Sequence, residues 1–556
     1  MTGTRFDIAA RTRDWAIRLT ERPSVTGTAD EAAFGPWFAD ILLKSATFGP
    51  RAEVWTIPVG PGDGRHSVVL FVRGSGRRTV LLTGHFDTVT VEDYGDLRDL
   101  AILPERLLPA LKDRLAGKIE TPAERRAKAD FAGHDYLPGR GLLDMKSGLA
   151  AGLAVIEEFA ATETPQGNIL FIAVPDEESG SAGARSAARN LAGIAASLDI
   201  EVVAAINLDA IADDGDGISG RSIALGTVGK VLPTAFVAGV PTHGGFPFNG
   251  INAATLLSAI VTRLEWAPEL TDNSAEQPGT PPSLLSLRDG KTGYDVTTPA
   301  TAFACWNVLL HRRSPEEALD AFDRLCTEAA AECLRDLSRK AGESALPEGQ
   351  AFGQGEVDLY RYEHVLAKAQ ERNSAVTRIL DDLGADLTEQ GVPLPEQCRQ
   401  VTERIWRESG LAGPAIVTGF GSIPYLATHL SDTPDGNRLA DTARTIAAAS
   451  SERYGVEIKC TDYFAGISDM SFFGEADEAA LGIVSRNTPV WGSAIVWPDG
   501  PALGMIPIIN AGPWGRDYHT PLERLHTGYA FDILPRVLAD ILSGLLGDSK
   551  NSQVNG

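Results

Sequence analysis

The sequence predicts an α/β protein: a mostly parallel sheet covered by helices on both faces, with a smaller α+β layer inserted into it. Apolar runs of strand length at Val80–Leu82, Asn168–Val174 and Val202–Asp209 alternate with Ala-rich stretches of helical composition, the pattern of βαβ units. Each run ends at imidazole or carboxylate side chains: His85 and Asp87, then Glu177 and Glu178, then Asp209. Ligands of such sheets bind beyond the carboxyl ends of the strands, so the recurrence supports sheet and site together. Near Gly220 the texture changes to Gly-rich loops and a new set of strands.

In chain order, Ile8, Trp15 and Leu19 fall on one face of a helix over residues 5–20, which Pro23-Ser24 ends. A second helix is expected over 30–44. Strands follow at Val54–Pro58 and Ser67–Val72, parted by the turn-rich stretch Gly60-Pro-Gly-Asp-Gly64. The run Val80–Leu82 then delivers His85 and Asp87, which as i and i+2 face one side. The charged residues 91–135 read as a surface excursion of helix and loop. His134 within it reads as structural or solvent-exposed.

Gly139-Arg-Gly-Leu-Leu-Asp144-Met-Lys-Ser-Gly148 leads into an Ala-rich helix over Leu149–Phe159. Asp144 stands just ahead of that helix, as an N-cap, as a carboxylate aimed at a metal, or as both. Three adjacent acids, Asp176, Glu177 and Glu178, close the next strand. They repel one another unless a cation or solvent compensates.

Beyond residue 220, strands are expected at Val231–Val240, near 284–288, at Ala302–Leu310 and at Glu356–Tyr362. Helices are expected at Ile251–Leu264 and Pro315–Arg339. His243 lies in the Gly-rich loop Pro241–Gly250, and Arg312 and Arg313 follow a strand. This gives an inserted domain over 221–365 between two parts of the main domain, 1–220 and 366–547, with a disordered tail at 548–556. Strands at Ala415–Val417, Glu457–Lys459 and Leu481–Val484 and a closing helix at Phe531–Leu546 would complete the main domain. His519 sits in the glycine-rich loop Asn510–Glu523 and is preferred over its neighbour His526 as a functional histidine.

With 556 residues, 43% hydrophobic and 22% charged, the chain has ordinary globular composition and room for several domains. No apolar run reaches membrane length, and the N-terminal segment shows no apolar signal region. The five cysteines are odd in number and form no CxxC pair, which fits a reducing cytoplasm. A net charge of −24 disfavours nucleic acid and anionic membrane as partners.

One or two imidazoles with several carboxylates suit Zn²⁺, or Mn²⁺ or Co²⁺. A carboxylate shared by two ions gives a two-metal site, and a further carboxylate off the metals can act as general base. The adjacent Glu177 and Glu178 allow that division, one on a metal and one on the water.

His85-Phe-Asp87, Gly139-Arg-Gly with Asp144-Met-Lys, Asp176-Glu-Glu-Ser-Gly180, Asp209, Pro241-Thr-His243-Gly-Gly and Gly515 with His519-Thr-Pro-Leu-Glu523 together resemble the M20 metallopeptidase family. They do so in order over nearly the whole chain. Trp306–Pro315, Gly466-Ile-Ser-Asp-Met470 and the His519 loop further resemble its RocB, arginine-utilisation branch. The resemblance implies a zinc-peptidase-like catalytic domain with a ferredoxin-like lid and dimerisation domain. It implies hydrolysis of an amide bond in a small peptide or N-acyl amino acid, in a cytoplasmic homodimer formed through the inserted domain. It implies His85 and Glu178 as ligands on different metals, Asp144 as the bridge, and Asp209 and His519 completing the two shells. Asp87 would orient His85, Glu177 would be the general base, and His243 would stabilise the tetrahedral intermediate. Arg312 or Arg313 would hold a substrate carboxylate, with Ser468 and Asp469 also binding substrate. Two features depart from the common pattern: the long Asp87–Asp144 gap, and the long segment between the inserted domain and His519. Two alternatives stay open, an amidohydrolase acting on a non-peptide amide or carbamoyl group and a non-catalytic binding protein that kept the fold. Against the second, none of the implied metal and catalytic positions is missing.

Overall fold

The computed structural model describes residues 6–117, 121–212, 220–273, 278–344, 356–430, 432–464, 466–474, 478–498, 503 and 506–547; the expected tail at 548–556 lies outside them. The chain forms two compact units. The first comprises Met1–Thr227, Thr428–Ala476 and Pro498–Gly556, the second Val228–Ala427 and Asp477–Trp497.

The first unit is built on an eight-stranded sheet. Its strands run, in spatial order, Ala52–Pro58, His66–Val72, Gln166–Val174, Ser75–His85, Glu201–Asn207, Ile508–Asn510, Ser222–Ala224 and Lys459–Thr461. The centre is parallel: Ser75–His85 pairs in parallel with Gln166–Val174 on one side and Glu201–Asn207 on the other, and Glu201–Asn207 in parallel with Ile508–Asn510. Antiparallel pairs flank that centre, so the sheet is mixed as a whole.

Val68, Leu70, Val80, Leu82, Ile169, Phe171 and Ile206 join one large core, with helices Ile8–Thr20, Ala29–Leu43, Ser147–Ala161 and Leu534–Leu546 contributing to it. The alternate residues Val69, Phe71, Leu81, Leu170 and Ile172 are equally buried, on the side where helix Ala182–Leu198 packs. A strand covered on both faces needs apolar residues at every position, which is why these read as continuous runs rather than alternations. Local signals set the helix starts. The Asp7 side chain accepts the Ala10 N–H, and the Thr28 side chain caps Ala29–Leu43.

The excursion at 91–135 is more than surface. Helices Pro104–Ala116 and Pro122–Ala132 enclose a small core of Tyr94, Leu107, Leu111, Leu115, Ala127 and Phe131. Helix Pro122–Ala132 opens with a full capping box between Thr121 and Glu124.

The second unit holds a six-stranded sheet. Gly229–Val231, Thr301–Leu310, Pro233–Ala238, Ala415–Phe420 and Asp358–Arg361 lie side by side, and Ser283–Asp289 also pairs with Thr301–Leu310. Helices Ala253–Leu264 and Pro315–Glu343 share its core. The division differs from the expected boundaries at 220 and 365. Ala415–Phe420 pairs antiparallel with Pro233–Ala238 and parallel with Asp358–Arg361, which draws residues 366–427 into this unit. Leu481–Val484 is helix, within Glu478–Arg486, and not strand. Ile483 and Val484 bury against the second unit's core, and a short apolar run alone does not separate helix from strand. Among the described residues no helix is long and apolar enough to cross a membrane.

Candidate metal centre

A small four-stranded sheet gathers the site. Tyr136–Pro138 pairs with Arg524–His526, that strand with Trp514–Arg516, and that in turn with Ile211–Ala212. Pro138 leads into the Asp144 loop, Ile211 follows Asp209, and the hairpin between Trp514 and His526 carries His519 at its tip. This sheet therefore brings three distant segments to the mouth of the parallel strands that deliver His85 and the Glu177–Glu178 pair. Two glycines permit the close approaches. Gly141 takes φ +76, where a side chain would also strike Thr88, and a Cβ on Gly512 would come within 1.8 Å of the Asp209 carbonyl oxygen.

Two clusters form around one carboxylate. His85, Asp144 and Asp209 offer atoms all within 4.8 Å of one another, and so do Asp144, Glu178 and His519. Asp144 Oδ1 lies 3.2 Å from His85 Nε2, while its Oδ2 lies 3.0 Å from His519 Nε2. Asp209 Oδ1 is 3.7 Å from His85 Nε2, and Glu178 Oε1 is 3.1 Å from His519 Nε2. Glu177 Oε2 lies 3.8 Å from His85 Nε2, beside the first cluster. Asp144 is held in a turn ahead of helix Ser147–Ala161, whose cap position is Lys146. The N-cap role expected of Asp144 is therefore not its role, and its carboxylate is free to face the two histidines. Each cluster offers one imidazole and two carboxylates, a donor set that suits a borderline divalent ion with positions left for solvent or substrate.

The supporting contacts fix these side chains. His85 Nδ1 lies 3.0 Å from the backbone carbonyl of Asp87, so this nitrogen carries the proton and Nε2 is turned to the cluster. The Asp87 carboxylate, farther from that ring at 3.5 Å, accepts the backbone N–H of Glu177 at 3.1 Å and of Glu178 at 3.2 Å. The Thr26 hydroxyl donates to it at 2.8 Å. Asp87 thus contacts the imidazole through its backbone carbonyl and both glutamates through its carboxylate. Asp176 splits from its neighbours: with φ +73 it turns to Arg65 and accepts the Ala182 N–H. Asn510 accepts the Asp209 N–H at 3.1 Å and donates to the Asp209 carbonyl at 2.9 Å.

Electrostatics match a site built around cations. Burial raises the pKa of Glu177, Glu178 and Asp209, with neighbouring acids adding to the rise. Burial opposes ionisation of Asp144, yet hydrogen bonds with His519 and His85 outweigh it and hold its carboxyl below the ordinary range. Burial likewise opposes charge on His85 and His519, and hydrogen bonds to Asp144 and its neighbours prevail, raising His519 to about 10. The acids thus draw positive charge onto the imidazoles, the place that divalent ions would take.

The other expected site residues fall as follows. Ser468 and Asp469 are buried; the Ser468 hydroxyl accepts from Asn207 Nδ2 and from the Met470 N–H, a supporting position rather than one open to substrate. Burial pushes Asp469 up to about 7. His526 lies in a strand, its ring against Trp514 and Tyr136 and its Nδ1 accepting the Tyr529 N–H, so it is structural. His134 is exposed. In the second unit, His243 is exposed and its Nδ1 accepts the Gly245 N–H, which leaves Nε2 as the donor. Arg312 and Arg313 are separated by their surroundings: Arg313 donates its guanidinium to the Glu269 carbonyl, while Arg312 is exposed. Asp272 accepts the backbone N–H groups of His311, Arg312 and Arg313 and fixes that turn.

Sequence reasoning gave no role to Arg140 or Glu523, although both stand inside the motifs. Arg140 Nη1 donates to Glu523 Oε2 at 2.7 Å, and Glu523 Oε1 accepts the Gly141 N–H at 3.0 Å, tying the Asp144 loop to the His519 hairpin. The signal available was chemical: an arginine between two glycines and a glutamate one residue from an arginine in the same motif both need partners if buried.

A model of peptidase family M20/M25/M40 matches residues 120–492. The chain is 29% identical to the protein YqjN of Bacillus subtilis (strain 168), over 96% of each chain. It is 28% identical to the protein RocB of the same organism, over 97% of this chain and 95% of RocB. The fold is similar to that of a tripeptidase from Staphylococcus aureus subsp. aureus Mu50, with a TM-score of 0.53 at 15% identity, covering 98% of this chain and 100% of that one. Two thirds of the sequence lies within the matched family model, and the chain belongs to peptidase family M20/M25/M40.

Proposed function

We propose that this chain is a metal-dependent hydrolase that cleaves an amide bond in a small peptide or N-acyl amino acid. The observation that carries the reading is the division of one carboxylate, with Asp144 Oδ1 toward His85 and Oδ2 toward His519. His85, Asp209 and Asp144 would hold one ion, and His519, Glu178 and Asp144 the other. Two divalent ions, Zn²⁺ ahead of Mn²⁺ or Co²⁺, would lower the pKa of a water and draw charge from the scissile carbonyl.

The chain's own residues supply the rest. Glu177, fixed through its backbone by Asp87, takes the proton from the attacking water and passes it to the leaving amine. His243 would donate from Nε2 to the developing oxyanion, contributed by a second copy of the chain. Arg312 would hold a substrate carboxylate, because among the described residues its exposed guanidinium is not committed as that of Arg313 is. The edge strand Ser283–Asp289 exposes Leu285 and Leu287, and Tyr294 and Val296 stand exposed nearby in sequence. An apolar edge of this kind favours pairing with a second copy. The RocB resemblance directs the substrate search toward amides that carry arginine.

Metal analysis of the purified, metal-supplied protein, paired with a hydrolysis screen over dipeptides and N-acyl amino acids, tests the reading. About two ions per chain and metal-dependent turnover are expected. Turnover unchanged after chelation would overturn it.

A further inference from the structure

Residues 91–135 do more than lengthen the path from Asp87 to Asp144. We propose that Asp93 and Asp130 of this segment are positioning residues, which set the Asp144 loop and the His519 hairpin against each other by gripping a buried arginine at the base of each. The proposal rests on the reading that Asp144 and His519 bind metal.

The first grip is on Arg140. Its guanidinium donates to Asp93 Oδ2 at 2.6 Å, to the Thr90 carbonyl at 3.0 Å and to Glu523 Oε2 at 2.7 Å. The side chain is 1% exposed and lies over the Tyr94 ring. Glu523 closes the link by accepting the Gly141 N–H. Asp93 is thus joined through one arginine to the hairpin of His519 and to the turn that presents Asp144.

The second grip is on the hairpin itself. Arg516 and Arg524 are directly paired across its two strands, and Asp130 receives both. Arg516 Nη1 lies 2.8 Å from Asp130 Oδ1, and Arg524 Nε lies 2.7 Å from Asp130 Oδ2. Arg524 also donates to Asp517 and to the Leu522 carbonyl. Asp517 and His519 both adopt left-handed φ, +54 and +60, so this tip holds its shape only where its neighbours fix it. Leu522 and Tyr136 pack on the small core of the excursion, which adds an apolar seat beneath the ionic one.

Buried ion pairs are poor sources of stability compared with apolar packing of the same volume, and their better-attested use is to select one geometry. Both networks start in the excursion, and they end on the two segments that carry Asp144 and His519. Positioning accounts for that convergence, whereas stability alone would place the pairs anywhere.

The test uses the full chain with Asp130→Asn, Asp130→Ala and Asp93→Asn, and Asp130→Glu as the charge-retaining control. Hydrogen exchange on the metal-free proteins is expected to rise in residues 514–526 for Asp130→Asn and in 139–146 for Asp93→Asn, with the central strand Gln166–Val174 unchanged. Zn²⁺ titration is expected to show the affinity of the ion held by His519 falling about tenfold to a hundredfold in Asp130→Asn, the usual range for a group behind a ligand. kcat should fall more than KM rises, with partial recovery in Asp130→Glu. Unchanged exchange in 514–526 would overturn the proposal. So would raised exchange with both metal affinities intact, because that is a purely structural role. If the wild type binds no divalent metal, the metal reading falls, and the proposal falls with it as far as metal is concerned; the exchange data then still decide whether the grip exists. Should Asp130→Ala fail to fold, Asp130→Asn, which keeps the volume, carries the test.

Discussion

His519 Nε2 stands 3.0 Å from Asp144 Oδ2, while the other oxygen of the same carboxylate stands 3.2 Å from His85 Nε2. One side chain therefore belongs to both clusters, and the clusters are not equivalent to two independent sites. Asp144→Asn is expected to remove both ions, whereas His519→Ala should weaken one and leave the other. Turnover in Asp144→Asn should fall more than a hundredfold, beyond the usual effect of a group behind a ligand, which is about 10–100-fold. Metal stoichiometry of the two variants after dialysis decides this. Retention of one full equivalent by Asp144→Asn would refute the sharing.

Glu177 and Glu178 are neighbours with different surroundings. Glu178 Oε1 lies 3.1 Å from His519 Nε2 inside a cluster, while Glu177 stands beside His85 at 3.8 Å. Glu177→Gln keeps the volume but cannot take a proton, so metal content should stay normal and turnover fall by about 10²–10⁴-fold. Glu178→Gln should lose metal. The reverse pattern in a side-by-side assay of metal content and turnover would exchange the two roles.

Much of this site was legible in the sequence because strand ends announce themselves. His85, Glu177, Glu178 and Asp209 each follow an apolar run, and the parallel centre of the sheet places those ends together. The boundary of the second unit was not legible. It depends on Ala415–Phe420 pairing with Pro233–Ala238, and an apolar run does not state which sheet it joins. Leu481–Val484 misled for a related reason: its residues bury against a core as helix, and a four-residue apolar run has no readable period. The Asp87 carboxylate was expected to serve one imidazole. The nearer contact to that ring is instead the Asp87 backbone carbonyl, and the carboxylate takes two glutamate N–H groups, which follows from how two loops pack and which pairwise spacing does not encode.

The arginines after strand Thr301–Leu310 are told apart by what each already binds. Arg313 donates to the Glu269 carbonyl, and Arg312 is exposed. Arg312→Ala is expected to raise KM by about tenfold to a hundredfold, the scale of one charge-assisted hydrogen bond, with little change in thermal stability. Arg313→Ala should do the opposite, lowering stability with KM nearly constant. Steady-state kinetics and melting curves on both variants separate the roles, and a KM effect confined to Arg313→Ala would reverse them.

Glu31 offers a test of stability against pH at a position that is not a proposed ligand. Its side chain is fully buried, accepts the Gly27 N–H at 2.7 Å and lies 3.4 Å from Arg65. Burial, followed by the negative charge of Asp87, pushes its pKa up to about 7 from the ordinary 4.5. The sign follows from proton binding. Between those values the folded chain holds a proton that the unfolded chain has released, so stability falls as pH rises across the window. The loss is complete above about pH 7 and amounts to at most about 3–4 kcal/mol, at roughly 1.36 kcal/mol for each unit between the two values. Glu31→Gln stays neutral throughout and can still accept the Gly27 N–H. It should therefore be more stable than the wild type at pH 8, with the difference shrinking to near zero as pH falls to about 4.5. Urea unfolding of both proteins in chelator at pH 8 and at pH 5 measures the gap. A wild type that is more stable at pH 8 would mean that attraction to Arg65 exceeds the cost of burying the charge, and the raised pKa would be wrong.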